Sequence, residues 1–135
     1  WYVVGYGGDE AMIKKLIEEN GLEDSFILLG KHINPYPFMK ACDLYVQPSR
    51  YEGKAVTVRE AQILAKPILI TNYPTAPSQI DDGVDGIICE KSIEGIADGI
   101  EGLYKNEELR IKLSKYCRIT NYENNTELEK LYKLG

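Results

Sequence analysis

Hydrophobic positions recur along the chain at two different spacings. Short runs of β-branched and aromatic residues, bounded by Gly, Pro, Asn or Asp, indicate strands, while apolar residues at intervals of three and four indicate amphipathic helices. The two patterns alternate, which predicts βαβ units on a parallel sheet with helices on both faces. The predicted strands are 1–5, 26–29, 43–47, 67–71 and 86–89, and the predicted helices are 9–20, a short one through 39–41, and 55–65.

The last third of the chain is predicted to be helical, after a loop rich in turn formers at 72–77 and a short strand. Three apolar stripes recur there at helical spacing, and each is expected to cover part of a core. The first is Ile93, Ile96, Ala97, Ile100, Leu103 and Tyr104; the second is Leu109, Leu113, Tyr116 and Cys117; the third is Leu128, Leu131 and Tyr132.

Composition narrows the class of protein. The 135 residues are 44% hydrophobic and 27% charged, which suits one globular domain. The net charge is -5 and the basic residues are scattered, so nucleic-acid binding has no electrostatic basis. No apolar run approaches the roughly 20 residues that span a bilayer. Three cysteines without paired C-x-x-C spacing indicate reduced thiols in a cytosolic compartment.

The chain opens directly on a predicted strand. No Met precedes Trp1, and no charged segment followed by an apolar one indicates a secretory signal. We therefore expect residues 1–135 to be one domain of a longer protein, truncated at its N-terminus.

The glycines after this strand, Gly5, Gly7 and Gly8, invite a dinucleotide-binding interpretation. The G-x-G-x-x-G pattern would need Gly at position 10, where Glu10 would place a negative charge against the pyrophosphate. A tight turn between strand and helix explains the glycines without a ligand.

The most informative segment joins the third predicted strand to the helix at 55–65. Pro48 ends the strand, a loop carries Glu52 and Gly53, and Glu60 follows inside the helix. Such a helix points its free N–H groups at the crevice beyond the strand ends, where open α/β sheets bind ligands. Phosphates suit this positive helix end, and Gly53 allows the backbone to approach them closely.

The two carboxylates suit the hydroxyl-rich ends of a sugar nucleotide, because carboxylates only accept hydrogen bonds. Glu52 would accept from the sugar, and Glu60, about two helical turns further on, would accept from the ribose diol. The spacing alone proves nothing, since Glu10 and Glu18 share it. In the alternative interpretation, Glu52 complements the helix dipole and Glu60 is a solvated helix residue.

Several motifs resemble the C-terminal donor-binding domain of retaining GT-B glycosyltransferases of family 4 (group 1). The resemblance covers essentially the whole chain, and 52–62 is similar to a subset found in bacterial capsule and exopolysaccharide enzymes. The motifs, in the family's order and spacing, are 3–7, 21–30, 41–44, 48–53 with Glu-x7-Glu and Ala61, 66–71, 82–88 and 106–110.

The resemblance implies a role for each matching residue. Glu52 would be the catalytic residue, which holds hydroxyls of the transferred sugar, and Glu60 would hold the ribose. The family requires no metal or other cofactor. The donor phosphates and sugar would also contact Gly53, Lys54, Ala55 and Val56, and the nucleobase would be bordered by Lys31, His32, Ile33 and Asn34.

Three positions depart from the family pattern. Lys54 stands where many relatives have an aromatic residue, and it would either add a cation near the phosphates or point to solvent. Ala55 replaces a common Gly and narrows the space against the donor. Gln79 lies where relatives often carry Glu, a difference that the sequence does not explain.

The resemblance implies a cytosolic retaining hexosyltransferase that moves a sugar from a nucleotide-diphosphate donor to a hydroxyl acceptor in polysaccharide biosynthesis. This chain would be its donor half. A carbohydrate or lipid-linked acceptor would bind the missing N-terminal domain, which could also hold the enzyme at the inner face of the membrane. The fragment alone is expected to bind nucleotide weakly and to be inactive. The alternatives are a sugar-nucleotide epimerase of the same fold and a non-catalytic Rossmann-like binding or signalling module.

Overall fold

The computed structural model describes residues 1–5, 7–53 and 56–120. It shows the predicted alternation of strands and helices. In chain order the elements are β1 (Tyr2–Val4), α1 (Glu10–Glu19), β2 (Ile27–Gly30), α2 (Tyr36–Ala41), β3 (Tyr45–Gln47), α3 (Val56–Ile63), β4 (Ile68–Thr71), α4 (Ala76–Gln79), β5 (Ile87–Cys89), α5 (Ile93–Lys105) and α6 (Glu107–Ile119). The chain divides into two compact units, and the second begins at Tyr36.

The first unit is a βαβ unit in which α1 joins the parallel strands β1 and β2. Gly21 follows α1 with a φ of 63°, a left-handed conformation that glycine adopts without a Cβ clash. The predicted apolar face of α1 is only partly covered in the described part of the chain. Met12 and Leu16 are exposed, whereas Ile13 and Ile17 are half-buried.

The second unit is built on a parallel sheet in the order β3-β4-β5. β4 lies at the centre, and all four of its residues are buried. Side chains alternate along the strand, so Ile68 and Ile70 face one layer of helices while Leu69 faces the other. The central strand therefore anchors a core on each side of the sheet.

Helices cover both faces of this sheet. On one face, residues of β4 pack with α2, α3 and α4. On the other face, Leu69 packs with Leu103 of α5 and Leu113 of α6. Gly99 permits this approach, because a Cβ there would lie 3.0 Å from Leu69 Cδ1. These contacts confirm the predicted Rossmann-like α/β class. The first core consists of Met39, Val58, Ala61, Ile68, Ile70, Tyr73, Ala76 and Ile80.

Each of the five strands begins one or two residues later than predicted, and for two of them a contact explains the boundary. β2 starts at residue 27 because the Phe26 N–H is used in a turn, donating to Leu22 O. β3 starts at residue 45 rather than 43, because pairing with the chain around β4 begins where the Tyr45 N–H donates to Pro67 O. In both cases a turn or pairing contact fixes the boundary.

The predicted loop at 72–77 is wrong at its end, where α4 begins. Pro77 occupies the first turn of α4, where its fixed φ suits a helix and its missing N–H costs no hydrogen bond. This short helix carries Gln79 to the side of α3.

The tail helices cover the core with only part of each predicted stripe. In α5, Leu103 is buried and Ile100 packs beside it, but Ile93 and Tyr104 are 85% and 77% exposed because they lie at the two ends of the helix. The third predicted stripe, 128–132, lies outside the described residues. None of the described helices is long and apolar enough to span a bilayer.

Candidate functional site

Residues 48–53 form a loop between β3 and α3, called the acid loop below because it carries Glu52. The loop starts at the carboxyl end of β3, next to the central strand of the second unit. In open parallel sheets this edge is where ligands bind. The fold thus places Glu52 at the edge that the sequence analysis predicted.

The Glu52 side chain is half-buried and accepts two hydrogen bonds at one oxygen. Gln47 Nε2 donates to Oε1 over 2.8 Å, and Ser49 Oγ donates to the same atom over 2.7 Å. The Gln47 amide oxygen in turn accepts from Tyr45 OH at 2.5 Å and from Thr57 Oγ1 at 3.2 Å. Uncharged donors from β3 and the acid loop therefore orient this carboxylate, and Thr57 of α3 and Tyr45 hold the Gln47 amide.

The backbone of the acid loop is held by side chains that follow the neighbouring strands or end them. Thr71 Oγ1 donates to Ser49 O over 2.5 Å, and Thr75 Oγ1 donates to Glu52 O over 2.7 Å. After β5, Lys91 Nζ donates to Arg50 O and lies 5.1 Å from the centre of the Tyr51 ring. Two strand ends therefore fix the path of the loop.

Glu60 lies on α3, half-buried, and its Oε1 accepts a hydrogen bond from Tyr36 OH at the start of α2. Burial is the largest cause that raises the pKa of Tyr36 well above 10, and the hydrogen bond to Glu60 and its negative charge act in the same direction. The phenol therefore remains a neutral donor to Glu60 at physiological pH.

The pKa of Tyr45 depends on both carboxylates. Burial raises the pKa of Tyr45, the neighbouring Thr57 hydroxyl lowers it, and the charges of Glu60 and Glu52 raise it further. The pKa of Tyr73 is raised to about 12, first by burial and then by Glu52. Glu52 and Glu60 are therefore both close enough to Tyr45 to act on its pKa.

The entrance of α3 is open at the residues that the structure describes. A Cβ added to Gly53 would meet no atom within 4 Å, and Val56, the first residue of the helix, is 58% exposed. The first N–H groups of a helix lack partners within the helix, so they are available to an anion. Lys54 and Ala55, predicted to bind the donor, lie outside the described residues.

The predicted nucleobase residues lie on the loop after β2, in the first unit. Lys31, His32 and Ile33 are exposed, and Asn34 is half-buried. His32 Nε2 lies 3.0 Å from Leu29 O, a hydrogen bond that requires a proton on that nitrogen. This contact gives the imidazole a local role on its own loop.

The sequence analysis missed a buried polar network behind α3. Gln62 Nε2 donates to Asp85 Oδ2 and to Gln79 O, each over 3.0 Å. Gln79 Oε1 accepts from Tyr73 OH at 2.7 Å, which gives the unexplained Gln79 a structural role. In the sequence, the signal for this network is the polar Gln62, two positions after Glu60, but the residues that bind it come from distant segments.

The part of the chain that the structure describes shows no metal centre. No group of three or more His, Cys, Asp or Glu side chains is placed to hold a metal ion in the described ranges 1–5, 7–53 and 56–120. The polar atoms at the site are instead carboxylates, a phenol, hydroxyls and an amide.

The fold defines a class of protein. A Rossmann-like parallel sheet with helices on both faces matches the fold of GT-B glycosyltransferases. The chain belongs to the family described as Glycosyl transferases group 1, whose pattern matches residues 2–120. Neither alternative class raised by the sequence is favoured by this match.

Comparison with known proteins agrees with the family assignment. The chain is 30% identical over 139 residues to a poly(ribitol-phosphate) alpha-N-acetylglucosaminyltransferase of Staphylococcus aureus (strain COL), covering 99% of this chain and 28% of that protein. It is 32% identical over 117 residues to the capsular polysaccharide biosynthesis glycosyltransferase CapM of Staphylococcus aureus, covering 78% and 31%. The chain therefore spans less than a third of the length of these two relatives.

A solved structure shares the fold. The crystal structure of Anabaena Alr3699/HepE in complex with UDP and glucose matches 98% of this chain and 39% of that chain, with a TM-score of 0.80 and 20% identity. At this identity the likeness establishes the fold of the domain.

Proposed function

We propose that this chain is the donor-binding domain of a retaining glycosyltransferase of family 4. The enzyme moves a hexose from a nucleotide-diphosphate donor to a hydroxyl acceptor in bacterial polysaccharide biosynthesis, of the capsule or exopolysaccharide type. The observation that carries the proposal is the half-buried Glu52 carboxylate, oriented by uncharged donors beside the open entrance of α3.

In this proposal Glu52 binds the transferred sugar. Both of its hydrogen bonds from the described residues go to Oε1, which leaves Oε2 to accept from sugar hydroxyls. Both of these described partners are uncharged, so neither competes as a cation with the sugar hydroxyls for the carboxylate. Glu60, with Oε1 bound to Tyr36, offers its other oxygen to the ribose diol.

The diphosphate binds at the entrance of α3, at the backbone of Gly53, Lys54, Ala55 and Val56. Negative charge grows on the leaving diphosphate during transfer, and fixed N–H dipoles stabilise it without reorganising, by an amount on the order of 3 kcal/mol per donor. Lys31, His32, Ile33 and Asn34 border the nucleobase.

The remaining parts of the enzyme lie in a second domain that precedes this one. That second domain binds a carbohydrate or lipid-linked acceptor. This chain covers 28% and 31% of the length of the two relatives, which supports an enzyme that extends beyond it. We infer that the enzyme works in the cytoplasm or at the inner face of the membrane, that it needs no metal, and that this domain alone binds nucleotide weakly without turnover.

A thermal-shift panel of UDP-, GDP- and ADP-sugars on the complete polypeptide tests the proposal. Binding to the native state stabilises it by RT ln(1 + [L]/Kd), about 2.7 kcal/mol when ligand is at 100 times Kd. We expect the nucleotide-sugars of one nucleobase to raise the melting temperature. EDTA should leave this rise unchanged. If no nucleotide-sugar does so, the proposal is wrong.

Retention has its own test. The anomeric configuration of the product, followed by NMR from the first turnovers, should match that of the donor. Incubation with donor alone should give no epimer, since an epimerase needs no acceptor. An inverted product would overturn the retaining mechanism while leaving donor binding intact.

A further inference from the structure

We propose that Gln47 is a positioning residue, which fixes the Glu52 carboxylate toward the donor sugar. This inference rests on the proposed function of Glu52. The observation behind it is that Gln47 Nε2 donates to Glu52 Oε1 while Gln47 Oε1 accepts from both Tyr45 and Thr57.

These contacts allow only one orientation of the Gln47 amide. Rotating it by half a turn would place the amide oxygen against the Glu52 carboxylate, so that two acceptors would face each other. It would also remove the acceptor for Tyr45 OH and Thr57 Oγ1. Tyr45 is protonated at neutral pH, since the ordinary pKa of a tyrosine is about 10, and burial raises the pKa of Tyr45 further.

Gln47 is well placed to transmit the rigidity of the sheet to a loop residue. It is the last residue of β3, and its backbone lies opposite Ile70 of the fully buried central strand. Glu52 lies five residues later on the acid loop, which has no ladder of its own. The side chain of Gln47 thus connects the sheet to the carboxylate, as groups that support a binding residue commonly do.

The choice of an amide has a chemical consequence. A cationic donor at this position would neutralise the carboxylate, whereas an amide orients it and leaves its charge available to the sugar. Ser49 adds a second uncharged donor to the same oxygen. Oε1 is therefore the oxygen that Gln47 and Ser49 hold, and Oε2 is the oxygen that binds the sugar of the nucleotide donor.

Two substitutions at Gln47 in the complete enzyme test the inference. Gln47→Leu removes the N–H group that binds the Glu52 carboxylate. We expect kcat to fall by about 10- to 100-fold, because a small misplacement of a group that binds substrate has an effect of this size. The Kd for nucleoside diphosphate should not change. Gln47→Glu keeps the shape of the side chain, but it can donate to Glu52 only while the two carboxyl groups share a proton. Two adjacent carboxylates repel each other, which raises the pKa at which that proton is lost.

For Gln47→Glu we therefore expect the ratio of variant to wild-type kcat to rise as pH falls from 8.5 to 5.5. Asn106→Asp is the matched control, because it adds the same charge at an exposed helix cap whose side-chain oxygen still accepts from Leu109 N. Its ratio should stay level with pH. Circular dichroism over the same pH range checks that the variant stays folded, because pH-dependent unfolding would change that signal as well as kcat.

The possible results separate the inference from the proposed function. If the wild type transfers sugar, but the Gln47→Glu ratio is level with pH, the positioning role is wrong and the proposed function stands. If the wild type neither binds nor transfers any nucleotide-sugar, the proposed function fails first. Should Gln47→Leu lose its circular dichroism spectrum, the isosteric Gln47→Glu profile decides the question alone.

Discussion

Glu52 and Glu60 are held by different kinds of structure. Glu52 lies on a loop, where Gln47 and Ser49 bind its carboxylate and Thr75 binds its backbone carbonyl. Glu60 lies on α3, whose own backbone hydrogen bonds fix its position, and its Oε1 accepts a hydrogen bond from Tyr36 OH.

The difference shows what each setting requires. A loop has no internal ladder of hydrogen bonds, so a carboxylate on it must be oriented by neighbouring elements. A helix orients its side chains by its regular geometry, and one partner is enough to select a rotamer. Variants around Glu52 should therefore affect catalysis, while variants around Glu60 should affect nucleotide affinity.

The largest effect is expected from Glu52→Ala in the complete enzyme. It removes the proposed acceptor for sugar hydroxyls, so transfer should fall by about 1,000-fold or more, while the Kd for nucleoside diphosphate stays nearly unchanged. Steady-state transfer and calorimetry measure the two quantities. Turnover that survives the substitution would refute the role of Glu52 at the donor sugar.

Glu60→Ala should have the opposite profile. Loss of a hydrogen bond to a charged group costs about 1.5 to 3 kcal/mol, so the Kd for nucleoside diphosphate should rise by about 10- to 100-fold. Glu101→Ala is the matched control, since Glu101 is exposed on α5 and paired only with Lys105 in the described contacts. Unchanged affinity in calorimetry would count against the ribose role.

Tyr36→Phe should reproduce a smaller part of the Glu60 effect. Removing one neutral donor costs about 0.5 to 1.5 kcal/mol, which corresponds to a rise in Kd of about 2- to 12-fold. In a double-mutant cycle the substitution should add nothing to Glu60→Ala, because the phenol acts through that carboxylate. Full additivity would show that Tyr36 acts elsewhere; the exposed Tyr104→Phe is the control.

The smallest effect is a dependence of stability on alkaline pH. The pKa of Tyr73 is about 12 in the folded chain and about 10 when unfolded, so the unfolded chain loses its proton first. The free energy of unfolding should therefore be full below pH 10 and fall as pH rises toward 12. Denaturant titrations should show a shallower fall for Tyr73→Phe, and an identical fall would contradict the shift.

Part of the candidate site could be predicted from the sequence. The order of Pro48, Glu52, Gly53 and Glu60 depends on local signals, namely a strand stop, a turn glycine and a helical period. The orientation of the carboxylates could not be predicted, because Tyr36 lies 24 residues from Glu60 and Thr75 lies 23 residues from Glu52. Only the paired strands bring such segments together.

The apolar stripes illustrate the same limit in the fold. The pattern predicted α5 and its inward-facing Leu103, but it also assigned Ile93 and Tyr104 to the covered face, where the structure leaves them exposed. Periodicity records which residues share a side of a helix. How far a neighbour extends along that side depends on the lengths and positions of other elements.

The sequence by itself determined the alternation of strands and helices, the class of fold and the positions of the two acids in the chain, because these follow from short-range spacing. Tertiary structure decided which uncharged donors surround each acid and which oxygen they bind. Those contacts need side chains from separate strands and helices within about 3 Å of one another, a condition that only the packed sheet meets.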